Sequence, residues 1–447
     1  MAFDLLGKLG EDGIMSAVFS EERVVSNWLV VEAEFARALA DAGVIDTARG
    51  ERIAAACRLD VIDRERLWKE TRNVGYPILP LVKQIVAALD DDDAAWVHYG
   101  ATTQDIMDCA LALQLRDAAD RLTDLVGQFG DAIAQLVERH AGSVMPGRTH
   151  AQQAVPTTFG LKMAVYLDQL ARDAKRLTAA RARAAVVSSY GAGGTSAALR
   201  DNGPAVRSAL ATRLGLADAE LPWHVARDRV AELTSAAAMT AGTCVRFARE
   251  VVDLSRTEVG EVSEATGKYR GASSTMPQKS NPISAEAIIG FGVVAQNAAN
   301  AMLRALEAGH ERAAGEWQVE WRAVPGCLIA AASALDVARE AAENLLVFPD
   351  RMRANLTRDG GRIMAEAYMI ALAEHLGRDV AHESVYDAVL LSRADGLALP
   401  EALRRSVAPE LWDRIAAVLP EPDAYLGNAT RLCASALTAW RSRTHGA

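Results

Sequence analysis

Residues 157–187 read TTFGLKMAVYLDQLARDAKRLTAARARAAVV, with no proline and with Gly160 as the only glycine. Within this run Phe159, Met163, Tyr166, Leu170, Ala174 and Leu177 step by three or four residues, the spacing of one face of an α-helix. Leu161, Val165 and Leu167 fall on other faces. A helix that is apolar nearly all round at its start belongs inside a bundle. Comparable runs occupy about 105–140, 228–262, 283–310 and 325–346. An ordinary helix has about 11–12 residues. A cluster of runs roughly twice that length or more predicts a long helical bundle.

Outside these runs convincing strand patterns are scarce. The breaks at 140–156, 188–195, 201–223 and 267–282 are short and rich in turn residues. The first hundred or so residues hold shorter helices, with turns at Gly43, Gly50 and Tyr76 to Pro80. After Pro349 come Gly360 and Gly361, then short helices broken by Pro400, Pro409 and Pro420. The pattern predicts an all-α protein in three parts: an N-terminal helical domain (1–104), a central long-helix bundle (105–348) and a C-terminal helical domain (349–447). At 447 residues the chain can bury a large core without a disulfide or metal staple.

Composition narrows the function. Lys and Arg number 48 against 58 Asp and Glu, a formal net charge of −10. Nucleic acids and acidic membranes call for a basic face, so neither is an expected partner. A small anionic substrate is compatible, because one cationic pocket can sit in an acidic protein. The five cysteines, at 57, 109, 244, 327 and 433, contain no C-x-x-C pair, which argues against a zinc knuckle or a disulfide framework. The expected setting is a reducing one, the cytoplasm. MAFDLLGKLGEDG at the N-terminus lacks a signal-peptide pattern. No stretch of 18 residues is both uncharged and strongly apolar, so no membrane span is expected. Gly191 to Gly194 follows a helix rather than a strand, which does not suit a dinucleotide fold. The acidic run Asp90 to Asp93 reads as a solvated turn. Trp317 and Trp321 read as a packing face, with Glu316, Glu320 and Arg322 as ordinary neighbours.

Three segments carry chemistry. Residues 267–282 (GKYRGASSTMPQKSNP) place two serines, Lys279 and Asn281 among glycines and prolines between two long helices. Glycine permits the mobility a lid needs. Pro282 opens the next helix, whose first N–H groups favour an anion. Residues 147–156 (GRTHAQQAVP) gather Arg148, Thr149, His150 and Gln152. A histidine exchanges protons near neutral pH and an arginine binds carboxylates, while a plain capping segment would look similar. Residues 98–105 (HYGATTQD) open a long helix. Thr103 with Gln104 or Asp105 could simply cap it, or Thr102 and Thr103 could hold a carboxylate there.

The stretch GASSTMPQKSNP at 271–282 closely resembles the signature loop of the fumarase/aspartase superfamily. The segments at 98–105 and 147–156 resemble its two other shared regions, in the same order. The resemblance covers the chain from about residue 15 onward. It implies three helical domains whose central bundles assemble a homotetramer around a 20-helix core, with each active site shared by three subunits. It also implies a lyase or cycloisomerase acting on an anionic di- or tricarboxylate by β-elimination or its reverse, through an aci-carboxylate intermediate. Ser273 takes the position of the base and His150 that of the acid. The substrate contacts that go with them are Thr102, Thr103, Gln104, Arg148, Thr149, Gln152, Ser274, Met276, Lys279 and Asn281. No metal or organic cofactor is implied.

Within the superfamily, residues 19–28, 77–83, 223–229 and 315–321 look most like 3-carboxy-cis,cis-muconate cycloisomerase. Adenylosuccinate lyase is the nearest rival, but Val18-Phe19 stands where that enzyme has an Arg-Tyr pair for a phosphate. Gln278 and Ser280 stand where the cycloisomerase pattern has His and Arg. A fumarate-releasing C–N lyase acting on an N-substituted succinate is the alternative. A non-catalytic, crystallin-like relative is a minor one.

Overall fold

The computed structural model describes residues 8–443 except Thr266 and Val418. Residues 1–7, which open the stretch lacking a signal-peptide pattern, lie outside the described part. Helices make up 69% of the described residues, so the protein is mostly helical, as the sequence predicts. The elements that position the site are α1 (Glu21–Asp41), α2 (Thr103–His140), α3 (Phe159–Ala184), α4 (Asp228–Ser255), α5 (Ile283–Arg304) and α6 (Glu316–Glu343).

Helix starts follow local chemistry. The Ser20 hydroxyl accepts the Arg23 N–H at 3.3 Å at the head of α1. Asp46 and Asp63 do the same for the next two helices at 2.9 and 3.0 Å, satisfying N–H groups that would otherwise lack partners. Helix α6 begins nine residues earlier than the sequence suggests, because it continues through Pro325. Among the described residues α6 alone is long and apolar enough to cross a membrane by composition, yet 61% of its apolar stretch is buried inside the protein. It is a core helix.

The chain packs as two compact units. The first holds Met1–Gly127, Asp173–Cys244 and Ala287–Asp336; the second holds Gln128–Arg172, Val245–Glu286 and Val337–Ala447. Every boundary falls within one of the long helices α2 to α6. In the first unit Val25, Leu29, Phe35 and Leu39 of α1 pack with Ile78, Leu81 and Ile85 and with Ile106 and Leu113 of α2. Thr243 of α4 donates to Asp173 of α3 at 2.6 Å. In the second unit Phe129, Tyr166 and Phe247 join α2, α3 and α4 through edge-to-face rings. A separate cluster there centres on Ile363, Leu372, Val385, Leu399 and Leu403.

Two sequence expectations change. The break at 140–156 contains a β-hairpin, β1 (Val144–Thr149) with β2 (Gln152–Thr158), in which Pro146 faces Pro156. Prolines disfavour a ladder, and these two hid the strands. Gly160 follows the hairpin, where a Cβ would lie 2.6 Å from the Ala141 backbone. The acidic run is also more than a solvated turn: Asp93 is buried between Arg49 and Arg52, at 3.2 and 2.5 Å.

Candidate active site

The three polar segments are divided between the units. Residues 98–105 belong to the first, and the hairpin and the 267–282 loop to the second.

In the first unit the organising group is Asp105, a buried carboxylate at the start of α2. Its Oδ2 accepts the N–H groups of Thr102 and Gly191 at 3.1 and 2.9 Å. Its Oδ1 accepts the Tyr190 N–H at 3.0 Å and faces His224 Nε2 at 2.8 Å. Burial alone would raise the Asp105 pKa. The His224 hydrogen bond and charge, with the two N–H groups of Tyr190 and Gly191, outweigh it and hold the carboxyl below the usual range. Asp105 therefore ties the glycine-rich 191–194 loop to the threonine pair. Thr102 and Thr103 lie at this helix start, partly exposed. Gln104 is fully buried and donates to the His224 carbonyl at 2.8 Å, so it supports the site from behind.

Arg312, which no sequence motif marks, donates to Thr102 Oγ1 at 3.2 Å and to the Ala192 carbonyl at 3.3 Å. Both partners are neutral oxygens, and Arg312 Nε is buried without a partner. The only signal in the sequence was a lone cation in a short segment between two long helices. Behind the helix start lies a second missed cluster. Arg227 holds Asp108 (2.9 and 3.0 Å) and Glu320 (2.7 and 2.6 Å), each through two bonds, and all three are buried. Burial pushes both carboxyl pKa values up, and Arg227 opposes that shift in each.

In the second unit His150 and Ala151 form the whole connection between Thr149 and Gln152, with φ of 50° and 62°. Two positive φ values in a two-residue connection are the geometry of a type I′ turn. Neither residue is a glycine, asparagine or aspartate, so the turn is strained in a way functional sites often are. Thr149, His150 and Gln152 stand exposed at its tip. Arg148 points elsewhere: its two Nη atoms bind Glu261 at 2.9 and 2.6 Å, and Glu261 also accepts Asn355 Nδ2 at 2.7 Å. The carboxylate Arg148 binds is thus the chain's own, and its task is to fix the hairpin.

The 267–282 loop is pinched at its base. Ala272 bridges Ser280, and the Asn281 N–H donates to the Gly271 carbonyl at 2.9 Å. Gly271 has φ +64°, and a Cβ there would meet Asn281 O at 2.5 Å, so glycine is required. Ser273 Oγ accepts the N–H groups of Met276 at 3.1 Å and Thr275 at 3.3 Å. Ser274, Met276 and Lys279 are exposed, and Asn281 is half-buried. The helix N-terminus after Pro282 is not open to an anion, contrary to expectation: Glu264 accepts the N–H groups of Ser284 and Ala285 at 3.0 and 2.8 Å.

A family model described as a lyase matches residues 5–296. The chain belongs to the fumarase/aspartase lyase family. It is 40% identical over 422 residues to a 3-carboxy-cis,cis-muconate cycloisomerase of Pseudomonas aeruginosa, covering 93% of this chain and 92% of that one. It is 37% identical over 459 aligned positions to a nitrosuccinate lyase of Streptomyces davaonensis, covering 97% and 96%. The crystal structure of a fumarate lyase from Mesorhizobium superposes with a TM-score of 0.89 at 38% identity, covering 96% of this chain and 98% of that one.

In this lyase one histidine next to the threonine pair carries a pH dependence. His98 Nδ1 lies 2.7 Å from Glu32, a buried carboxylate. Burial would lower the His98 pKa, but the Glu32 charge and hydrogen bond, with Asp105 nearby, raise it above 6.5. A raised folded-state pKa means the pair stabilises fully below the unfolded value and loses that contribution as pH rises through the folded one. Denaturant unfolding across this window should show wild type losing stability relative to His98→Gln as pH increases. Parallel curves would show that the pair contributes nothing.

Proposed function

We propose that this chain is a lyase or cycloisomerase that acts on an anionic di- or tricarboxylate by β-elimination or its reverse, most closely in the manner of 3-carboxy-cis,cis-muconate cycloisomerase. The observation that carries the reading is the pair of N–H groups on Ser273 Oγ. A serine hydroxyl is a poor base, and its alkoxide persists only where donors meet the charge. Ser273 removes the proton from the carbon beside a carboxylate, and the electron pair moves into the aci-carboxylate. As that pair returns, the bond to the leaving group at the β-carbon breaks and His150 supplies the proton. The cycloisomerase direction runs these steps backwards, with a carboxylate of the substrate as the group that adds.

Thr102, Thr103, Thr149, Gln152, Ser274, Met276, Lys279 and Asn281 contact the substrate in this reading. Arg312 joins them as a carboxylate ligand, while Arg148 and Gln104 support the site. The division of these residues between two units of one chain suits an active site completed by several subunits of a homotetramer. Exposed Met239 on α4, with Val293, Val294 and Leu303 on α5, supplies an apolar face for that assembly. The three-part division at 104/105 and 348/349 goes with the same proposal. So does a cytoplasmic setting, for which the five unpaired cysteines are suited.

A second reading, a fumarate-releasing C–N lyase, is favoured by the nitrosuccinate lyase relative and by Gln278 and Ser280. Proton NMR of the protein with 3-carboxy-cis,cis-muconate, nitrosuccinate, adenylosuccinate, argininosuccinate and aspartate separates the two. Lactone from the muconate is expected, from a protein sedimenting as a tetramer. Fumarate from a substituted succinate instead would keep the mechanism and replace the substrate. A monomer turning over any of these acids would rule out the shared site.

A further inference from the structure

The glycine-rich turn after Tyr190, which suits no dinucleotide fold, is fastened to the threonine pair. Gly191 has φ +72°, and a Cβ there would lie 3.2 Å from the Gly100 carbonyl oxygen. Gly100 has φ +84°, and its own Cβ would meet Leu199 at 2.7 Å. Two positions that only glycine suits thus bring the turn against the backbone that leads into Thr102. One clip across this contact is Arg312, through Thr102 Oγ1 and the Ala192 carbonyl. The other is buried Asp105, which accepts the N–H groups of Thr102, Tyr190 and Gly191 at 3.1, 3.0 and 2.9 Å.

A carboxylate that only capped α2 would reach back to Thr102 and stop there. Asp105 also holds a segment 85 residues away, and its fourth close donor is His224. His224 Nε2 stands 2.8 Å from Asp105 Oδ1, while Ser188 Oγ lies farther off at 3.5 Å. His224 is 3% exposed. Its carbonyl takes the Gln104 amide at 2.8 Å, and Tyr190 meets its ring edge-on at 6.0 Å. The neighbouring Trp223 is tied to the Val187 carbonyl at 2.9 Å. The ring therefore has one fixed place, with Nε2 on Asp105. Of the four close donors, His224 alone is a side chain. Burial favours the neutral acid at Asp105, and His224 is the strongest influence opposing it. A protonated Asp105 would turn its O–H toward one of these N–H groups and release it.

We infer that His224 is a positioning residue of the candidate active site: through Asp105 it sets Thr102 and the Gly191 turn in the place where a substrate carboxylate is held. This rests on the reading of Thr102 and Thr103 as carboxylate contacts. His224 is buried behind Asp105 and touches no substrate itself. Its effect falls on binding in the ground state and the transition state alike, and so on KM.

His224→Leu removes the donor, whereas His224→Gln keeps one, because its amide nitrogen reaches the place of Nε2. Both are compared with wild type on whichever acid of the NMR panel the wild type consumes. His224→Leu is expected to raise KM about tenfold or more, the size of one lost hydrogen bond to a charged group, with kcat within about threefold of wild type. His224→Gln is expected to recover most of the affinity. Hydrogen–deuterium exchange without substrate gives a second reading. The 187–194 segment should exchange at least about tenfold faster in His224→Leu, with the cluster around Leu372 and Leu399 unchanged. Asp105→Asn keeps the shape and removes the charge; it should reproduce both effects, and it carries the test if the leucine variant does not fold. An unchanged KM, a loss in kcat alone, unchanged exchange at 187–194, or a glutamine variant as impaired as the leucine one would each overturn the inference. A wild type that consumes none of the acids would instead overturn the functional reading, and the inference with it.

Discussion

Replacing Arg227 with methionine is expected to destabilise the protein by about 3–5 kcal/mol, the usual cost of removing one partner from a buried ion pair. Arg227 is buried to 2% exposure, with its guanidinium enclosed by Asp108, Glu320 and the Trp223 ring at 4.8 Å. Methionine roughly fills the volume, so the loss is electrostatic rather than steric. Two carboxylates would be left facing each other without a cation, and they must either take up protons or pull water into the core. The triple variant Arg227→Met, Asp108→Leu, Glu320→Met removes the charges together and is expected to recover most of the loss, since buried ion clusters exchanged for apolar side chains are often neutral in stability. Denaturant midpoints of the single and triple variants make the comparison. A single variant as stable as wild type would show that the acids are neutral and self-satisfied without Arg227.

Ser273→Ala is expected to lower kcat by about 10²–10⁴, the range for losing a general base, with KM changed little. The structure lets this be read as chemistry. Ser273 is half-buried in a loop, and the substitution deletes only a hydroxyl that accepts two N–H groups. The pinch between Gly271 and Asn281 does not involve its side chain. Ser274→Ala, one residue along and exposed, is the control and should cost far less. Full activity in Ser273→Ala with loss in Ser274→Ala would move the base by one residue. Loss in neither would place it outside this loop.

How much of this was legible beforehand depended on the range of the interaction. The run 157–187 was readable because its spacing of apolar residues is local, and α3 occupies Phe159–Ala184. The loop at 267–282 was readable because its polar groups are neighbours in sequence. The hairpin was not, because Pro146 and Pro156 argue against strands until they are seen facing each other. Arg148 looked like a substrate ligand, and nothing near it in sequence announced Glu261, 113 residues away. The helix start after Pro282 looked open to an anion for the same reason, since Glu264 reaches it only once the chain has turned back.

The sequence by itself determined the helical class, the long runs of the core and the three polar segments, because periodicity, turn chemistry and motif are properties of residues a few positions apart. Only the tertiary structure decided which charges are already neutralised. Arg148 and Arg227 are bound to carboxylates far along the chain, whereas the bonds of Arg312 among the described residues go to neutral oxygens, Thr102 Oγ1 and the Ala192 carbonyl. A charge is free for a substrate only if folding has brought no opposite charge to it, and that depends on long-range proximity that no local pattern encodes.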